Sequence, residues 1–260
     1  MNRGLWNRET VALMLLVAYL PLAVFWLWFG GTGAVAQLGL ALLTIAVWHL
    51  AFMLLRAQPP SLAAVTTAFA IAMLAPEDLG GFRMVLGISF GVVMGELVFG
   101  GWGRNVVHPA TVTLSFLGFG FPAFAWPGFE DPVAWAAIPA ALIGAATGVM
   151  PWPVFAGAGL VAAAAAATGV LPEPVLHAAG IVLVLLVADP VTSSATTLGR
   201  WAGGAVYAAL VVLFAAGWTG AAPVQMAVAA ALLSSLAAPL LDEAALALWV
   251  AQRRRRHGRT

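Results

Sequence analysis

Between Gly91 and Pro122 the chain reads GVVMGELVFGGWGRNVVHPATVTLSFLGFGFP, a glycine-rich turn with one arginine and one asparagine set between two strongly apolar segments. The whole chain is 63% hydrophobic and 8% charged, with a mean hydropathy of +1.00, whereas ordinary soluble domains carry about 25% charged residues. It therefore reads as an integral membrane protein. Away from water, unpaired N–H and C=O groups are costly, so irregular polar backbone at membrane depth persists only where it lines a cavity or is buried against protein or ligand. Gly95, Gly100, Gly101 and Gly103 admit close backbone approach and positive φ, and Arg104, Asn105 and His108 bring hydrogen-bonding groups to the same turn. The turn is the first candidate for a ligand site.

The hydropathy pattern predicts an all-α membrane protein with about ten transmembrane helices, near 11–29, 36–55, 61–75, 84–99, 107–125, 133–150, 153–171, 175–188, 202–217 and 223–240. These fall in one transmembrane domain, 11–250, between a short N-terminus, 1–10, and a basic tail, 251–260. Segments 61–75 and 175–188 are shorter than the ~20 residues that cross a hydrocarbon core, as in folds that surround a central site with broken helices. All 11 basic residues are arginines. Arg3, Arg8, Arg56, Arg104, Arg200 and the tail fall on one side of this arrangement, while Glu77, Asp78, Glu130, Asp131 and Glu173 fall on the other. The positive-inside rule then places both termini in the cytoplasm, which needs an even number of spans. Arg83 dissents, and Glu77 and Asp78 are expected to offset it. The start of the chain lacks the pattern of a cleaved signal, so the first helix is expected to remain. With no cysteine, the chain holds no disulfide, thiolate metal site or cysteine-bound iron–sulfur cluster.

GELVFGGWGRNVVHPA resembles the signature shared by the B subunit of the sodium-translocating NADH:quinone oxidoreductase and the D subunit of the Rnf electron-transport complex. That signature runs Gly-Lys-Glu-Val-Phe-Gly-Gly, then Gly-Lys-Asn, then Asn-Pro-Ala. A second block, ADPVTSSATTLGRWAGG from Ala188 to Gly204, resembles the family's Asp-Pro-Val-Thr/Ser segment, and SSLAAPLLDEAAL resembles its last membrane segment. The similarity covers roughly residues 60 to 250, although this chain is much shorter between the blocks. The resemblance implies two inverted five-helix repeats, like those of urea channels, and a non-covalently held flavin, riboflavin or FMN. It also implies that the flavin is contacted by Asn105 and by His108, which stands where the family has asparagine.

The resemblance and the chemistry of an isoalloxazine ring select Gly100, Gly101, Trp102, Gly103, Arg104, Asn105, His108 and Thr111 in the first block, with Asp189, Thr192 and Thr196 in the second. Thr113, Phe99 and Phe116 add a hydroxyl and apolar faces. The plainer reading is that Asn105 and His108 cap the fifth span and that Arg104 and Arg200 are topological anchors. Glu96 and Asp189 are costly at membrane depth unless paired or hydrated, and either is expected to pair with Arg104 or Arg200 or to lie on an ion path. At Glu96 the family's Lys-Glu has become Glu-Leu. His49 and His177 read as packing residues rather than haem ligands. HPATVTLS and DPVTSSATT echo each other as a two-repeat fold would require, although Pro and Ser/Thr also start helices well. The Ser-Gly-Ala-Thr motif to which the family joins a second FMN is absent from 123–152, so covalent FMN is not expected. Ser194-Ala195-Thr196 is a partial look-alike on the opposite side of the membrane.

The sequence thus favours a membrane subunit of a flavin-dependent electron-transport complex, a component of an oxidoreductase or translocase, in the bacterial inner membrane. Its expected partners are other membrane subunits, membrane lipid at the arginine-rich tail, and a quinone or a soluble electron carrier. Nucleic acid is excluded for so apolar a chain. The alternative is a small-solute channel on a urea-channel-like scaffold, and a flavin spectrum separates the two.

Overall fold

The computed structural model describes residues 7–57 and 60–257, with side chains to Arg254, and among these the chain is helical without a strand. Expectations placed on Arg3, on Arg259 and on the side chains of Arg255 and Arg256 lie outside the described residues. The surface confirms the solvent: Trp28 is 82% exposed and Phe82 and Leu55 each 81% exposed, large apolar groups that only lipid or a partner covers.

The first helix, α1 (Arg8–Arg56), has 49 residues, about 74 Å of helix against a hydrocarbon core of about 30 Å. It is therefore long enough for the two expected spans 11–29 and 36–55. They meet at Gly31, whose φ of 55° and ψ of −140° break the helix where a short connecting loop was expected. Next come α2 (Ala63–Leu74), α3 (Gly81–Val92) with a π-helical turn at Val93–Leu97, and α4 (Pro109–Gly120). The expected span 133–150 is divided into α5 (Asp131–Trp135) and α6 (Ala137–Ala146). Then follow α7 (Trp152–Ala167), α8 (Glu173–Val182) with a second π-helical turn at Leu183–Val187, α9 (Thr197–Gly217) and α10 (Pro223–His257). Three of these, α1, α9 and α10, have the length and apolarity of membrane crossings, and the shorter apolar helices pack among them.

In lipid no hydrophobic effect drives helices together, so contact rests on close packing and interhelical hydrogen bonds. Both are present. At the crossing of α7 and α9, a Cβ on Gly157 would strike the carbonyl oxygen of Trp201, and one on Gly204 would strike that of Val154. Only glycine lets the two backbones come so near, and a larger side chain at either position must push the helices apart. Elsewhere the Trp48 indole donates to Ser89 Oγ at 2.8 Å, joining α1 to α3, and the Tyr207 hydroxyl donates to Ala179 O at 2.9 Å, joining α9 to α8.

Helix α2 is a half-helix threaded through the centre. Its 12 residues reach about 18 Å, and Ala63 and every residue from Thr66 to Leu74 are buried. Its first turn is met by Glu9, whose carboxylate accepts from Leu62 N at 3.0 Å, and by Ser61 Oγ, which accepts from Ala63 N. Its other end opens on a cavity of about 660 Å³ with Glu77, Asp78 and Glu130 in its wall. Arginines 8, 104 and 200 thus lie with the two polar turns, and Glu77, Asp78 and Glu130 line the cavity at the other end of α2. Arg83 belongs to the acidic end, but Glu77 and Asp78 are not what holds it. Its guanidinium lies 4.9 Å from the Phe124 ring centre and donates to Leu79 O at 3.1 Å.

Candidate functional site

The π-helical turn Val93–Leu97 ends α3 and aims Glu96 inward, where it is 1% exposed. The chain then turns sharply. Gly101 N donates to Glu96 O, Gly100 N to Leu97 O and Arg104 N to Gly101 O, at 3.1 to 3.3 Å. Gly100, Gly101 and Gly103 sit at φ of 104°, 89° and 97°, values that admit essentially glycine alone. Positive φ is thus the physical reason for the glycines of this turn, as expected from the sequence.

Asn105 is buried, and both ends of its amide are committed to the turn itself. Its Oδ1 accepts from Gly103 N at 3.1 Å and its Nδ2 donates to Val107 O at 3.5 Å. His108 Nδ1 accepts from Ala110 N at 3.2 Å and caps α4. His108 is thus the helix cap of the plainer reading, whereas Asn105 braces the turn and does not cap α4. Thr111, one turn further, differs. It is fully buried, and its hydroxyl has no hydrogen-bond partner. Trp102 is buried beneath the Arg8 guanidinium, 6.0 Å from its ring. Arg104 is exposed and lies against Gly100. Phe99 is 49% exposed, and Phe116 stacks on Phe90 at 4.6 Å, so neither lines this turn as expected.

The second block is built alike. The turn Leu183–Val187 ends α8, and its carbonyls at Val184 and Leu185 each accept from the Tyr19 hydroxyl at 3.3 Å. Asp189 Oδ2 accepts from Val191 N, Thr192 N and the Thr192 hydroxyl at 2.9 to 3.1 Å. Thr196 caps α9 by accepting from Gly199 N, and it donates to Asp242 Oδ1 at 2.6 Å. Asp242 also accepts from Ala195 N and Thr196 N, tying α10 to the loop. His108 and Thr196 are thus both helix caps, whereas Asp189 closes its own turn.

These two turns converge. Asp189 lies within electrostatic range of Glu96, His108 and Tyr19. Glu96 is not paired with Arg104 or Arg200, for Arg200 Nε donates to Ser194 O. It faces His49 Nε2 at 3.7 Å and lies in range of Arg8. Arg8, His49 and Tyr19 all lie on α1, and sequence reasoning misses them as site residues. It marks Arg8 as an anchor and His49 as packing, because their separation in sequence from Glu96 hides the meeting. Among the described residues, Thr67 Oγ1, Thr111 Oγ1 and Arg8 Nε are buried without hydrogen-bond partners, while the Trp102 backbone N–H reaches the Glu96 carboxylate. Buried polar groups are normally satisfied. An unmet hydroxyl at Thr111, a guanidinium at Arg8 and the indole of Trp102 match the polar edge and flat faces of a flavin, whereas Asn105 has little left to offer one.

The family model described as "NQR2, RnfD, RnfE family" matches residues 6–158, more than half of the chain, taking in the glycine-rich turn and ending before Asp189. Among curated proteins, the chain is 37% identical over 76 residues to the B subunit of the Na(+)-translocating NADH-quinone reductase of Yersinia pestis, 29% of this chain and 18% of that one. It is 38% identical over 76 residues to the same subunit of Pseudomonas aeruginosa, 29% and 19% of the two chains. With that of Chromohalobacter salexigens the match is 35% over 94 residues, 35% and 23%. The match thus spans about a fifth of the length of these relatives.

Proposed function

Since the chain belongs to the NQR2, RnfD, RnfE family, we propose that it is a multi-pass membrane subunit of an ion-coupled, flavin-dependent electron-transport complex. The observation that carries this reading is the buried meeting of the two polar turns, with Thr111 Oγ1 and Arg8 Nε left without partners among the described residues. A riboflavin or FMN bound there supplies one- and two-electron redox chemistry. The chain's own part is to hold and isolate it. Thr111, His108 and Arg8 would offer it hydrogen-bonding groups, Trp102 would offer an apolar surface, and the surrounding apolar helices would exclude water. Other membrane subunits, a quinone and a soluble carrier are the partners this role requires.

The test is the visible absorbance of the protein purified in detergent. A flavin spectrum that leaves with the supernatant on acid precipitation is the expected result, together with no flavin fluorescence in the denatured band on a gel. A fluorescent band abolished by Thr196→Val overturns the non-covalent assignment. A protein folded with its native partners that releases no flavin overturns the redox reading in favour of a small-solute channel.

The proposal includes a bacterial inner-membrane location with both termini cytoplasmic, supported by the gathering of arginines at the end that holds the two turns. It also includes ten spans in two inverted repeats. The matching design of Val93–Leu97 before His108 and Leu183–Val187 before Thr196 supports that layout. Reporter fusions at Thr260 and beside Glu130 should read opposite sides of the membrane, and equal signals reject the arrangement.

A further inference from the structure

We propose that Asp131, Glu173 and His177, at the end of the molecule away from the glycine-rich turn, form a binding site for a divalent transition-metal cation of the zinc class. Asp131 opens α5, and Glu173 opens α8, with His177 one helical turn beyond it on the same face. One ligand atom from each of the three lies within 4.8 Å of the other two, and among the described residues no other group of three His, Asp or Glu side chains does this.

The His177 ring lies 3.8 Å from Asp131 through Nδ1 and 3.9 Å from Glu173 through Nε2. Its side chain is 12% exposed and fixed edge-on by Trp135, at 6.2 Å between ring centres. The two carboxylates are 72% and 73% exposed, so they are free to rotate. A zinc ion about 2.0 to 2.2 Å from each ligand holds its ligand atoms roughly 3.4 Å apart. Rotation of the two free carboxylates supplies that closure around a fixed imidazole.

One nitrogen and two carboxylate oxygens suit zinc or a neighbouring transition metal better than calcium or magnesium, which take oxygen alone. The fourth position is left to water, as in open sites. Both carboxylates stand at helix N-termini, whose partial positive charge opposes a cation. This weakens the site relative to a closed four-ligand structural zinc site. An occupied site ties α5 to α8.

The test is a zinc titration of the chelator-treated full chain in detergent, followed by calorimetry and by the thermal midpoint. One saturable zinc per chain is expected, raising the midpoint, with magnesium giving no effect. Asp131→Asn and His177→Gln should each weaken binding about tenfold or more and abolish the midpoint shift. Asp131 is exposed, so its variant keeps the fold and remains informative even where His177→Gln disturbs packing. Absence of saturable binding up to sub-millimolar zinc overturns the site, as does binding that both variants leave unchanged.

Discussion

Thr111→Val is expected to strip flavin from the protein by about tenfold or more while leaving the flavin-free fold at least as stable as before. The two effects have one cause. Valine matches threonine in shape, and the hydroxyl it removes is fully buried with no partner in the protein. In the flavin-free chain that group costs stability, so its loss should be neutral or gain about 1 kcal/mol. In the loaded protein the same hydroxyl meets the ring, and a buried ligand atom left unpaired costs about 1 to 3 kcal/mol, or about five- to a hundred-fold in affinity. Asn105→Leu should also lower flavin content about tenfold, but with a lower thermal midpoint, because it releases Gly103 N and Val107 O within the turn. His108→Asn should be tolerated, since asparagine caps a helix as well as any residue. Flavin content and midpoint measured together decide the matter. If Thr111→Val keeps its flavin, the ring does not lie against α4.

Arg8→Leu is expected to destabilise the protein by about 1 to 3 kcal/mol, through lost packing on Trp102 and loss of the cation in range of Glu96. Arg8 packs on Gly101 and Trp102 and lies in range of Glu96 and His49. Once it is gone, Glu96 keeps the imidazole at 3.7 Å and the Trp102 backbone but no neighbouring cation. The double variant Arg8→Leu with Glu96→Gln removes both charges and should recover most of the loss, because replacing a whole buried pair is far cheaper than breaking one. Unfolding in detergent of the two single variants and the double closes the cycle. A double variant no more stable than Arg8→Leu shows that Arg8 acts only through packing.

What the sequence reveals and what it conceals divide along the range of the interactions. The membrane class and the positive-φ glycines at Gly100, Gly101 and Gly103 depend on local composition and backbone sterics, and both are readable. So are the helix-capping residues His108 and Thr196. The break at Gly31 reads as a loop because a single αL-side residue does in the structure what several residues do elsewhere. The π-helical turns leave no trace in hydropathy, since one extra residue in a turn preserves an apolar pattern. Their effect is large all the same: one re-aims Glu96 inward, and the other frees the carbonyls that Tyr19 holds. The roles of Arg8 and His49 depend on contacts with residues far along the chain, and periodicity carries no information about those. Their charge and isolation mark them, but only the packing of α1 beside the glycine-rich turn gives them neighbours.

Helix α10 does not stop at residue 240, where the apolar pattern ends, but continues to His257. Asp242 fastens it to the loop at Ala195 and Thr196, so everything beyond is a rigid arm. On an unbroken helix Arg253 stands about 16 Å past that fastening, twice the ~8 Å over which a charge is felt in physiological salt. An upright arm therefore carries its arginines out of the field of the lipid headgroups, to a height at which they meet proteins passing over the membrane. Only an arm laid flat, with Trp249 beneath Arg253 at 5.2 Å, returns them to the lipid. The angle of α10 at Pro239 thus decides which of two neighbours the same cluster of charges addresses.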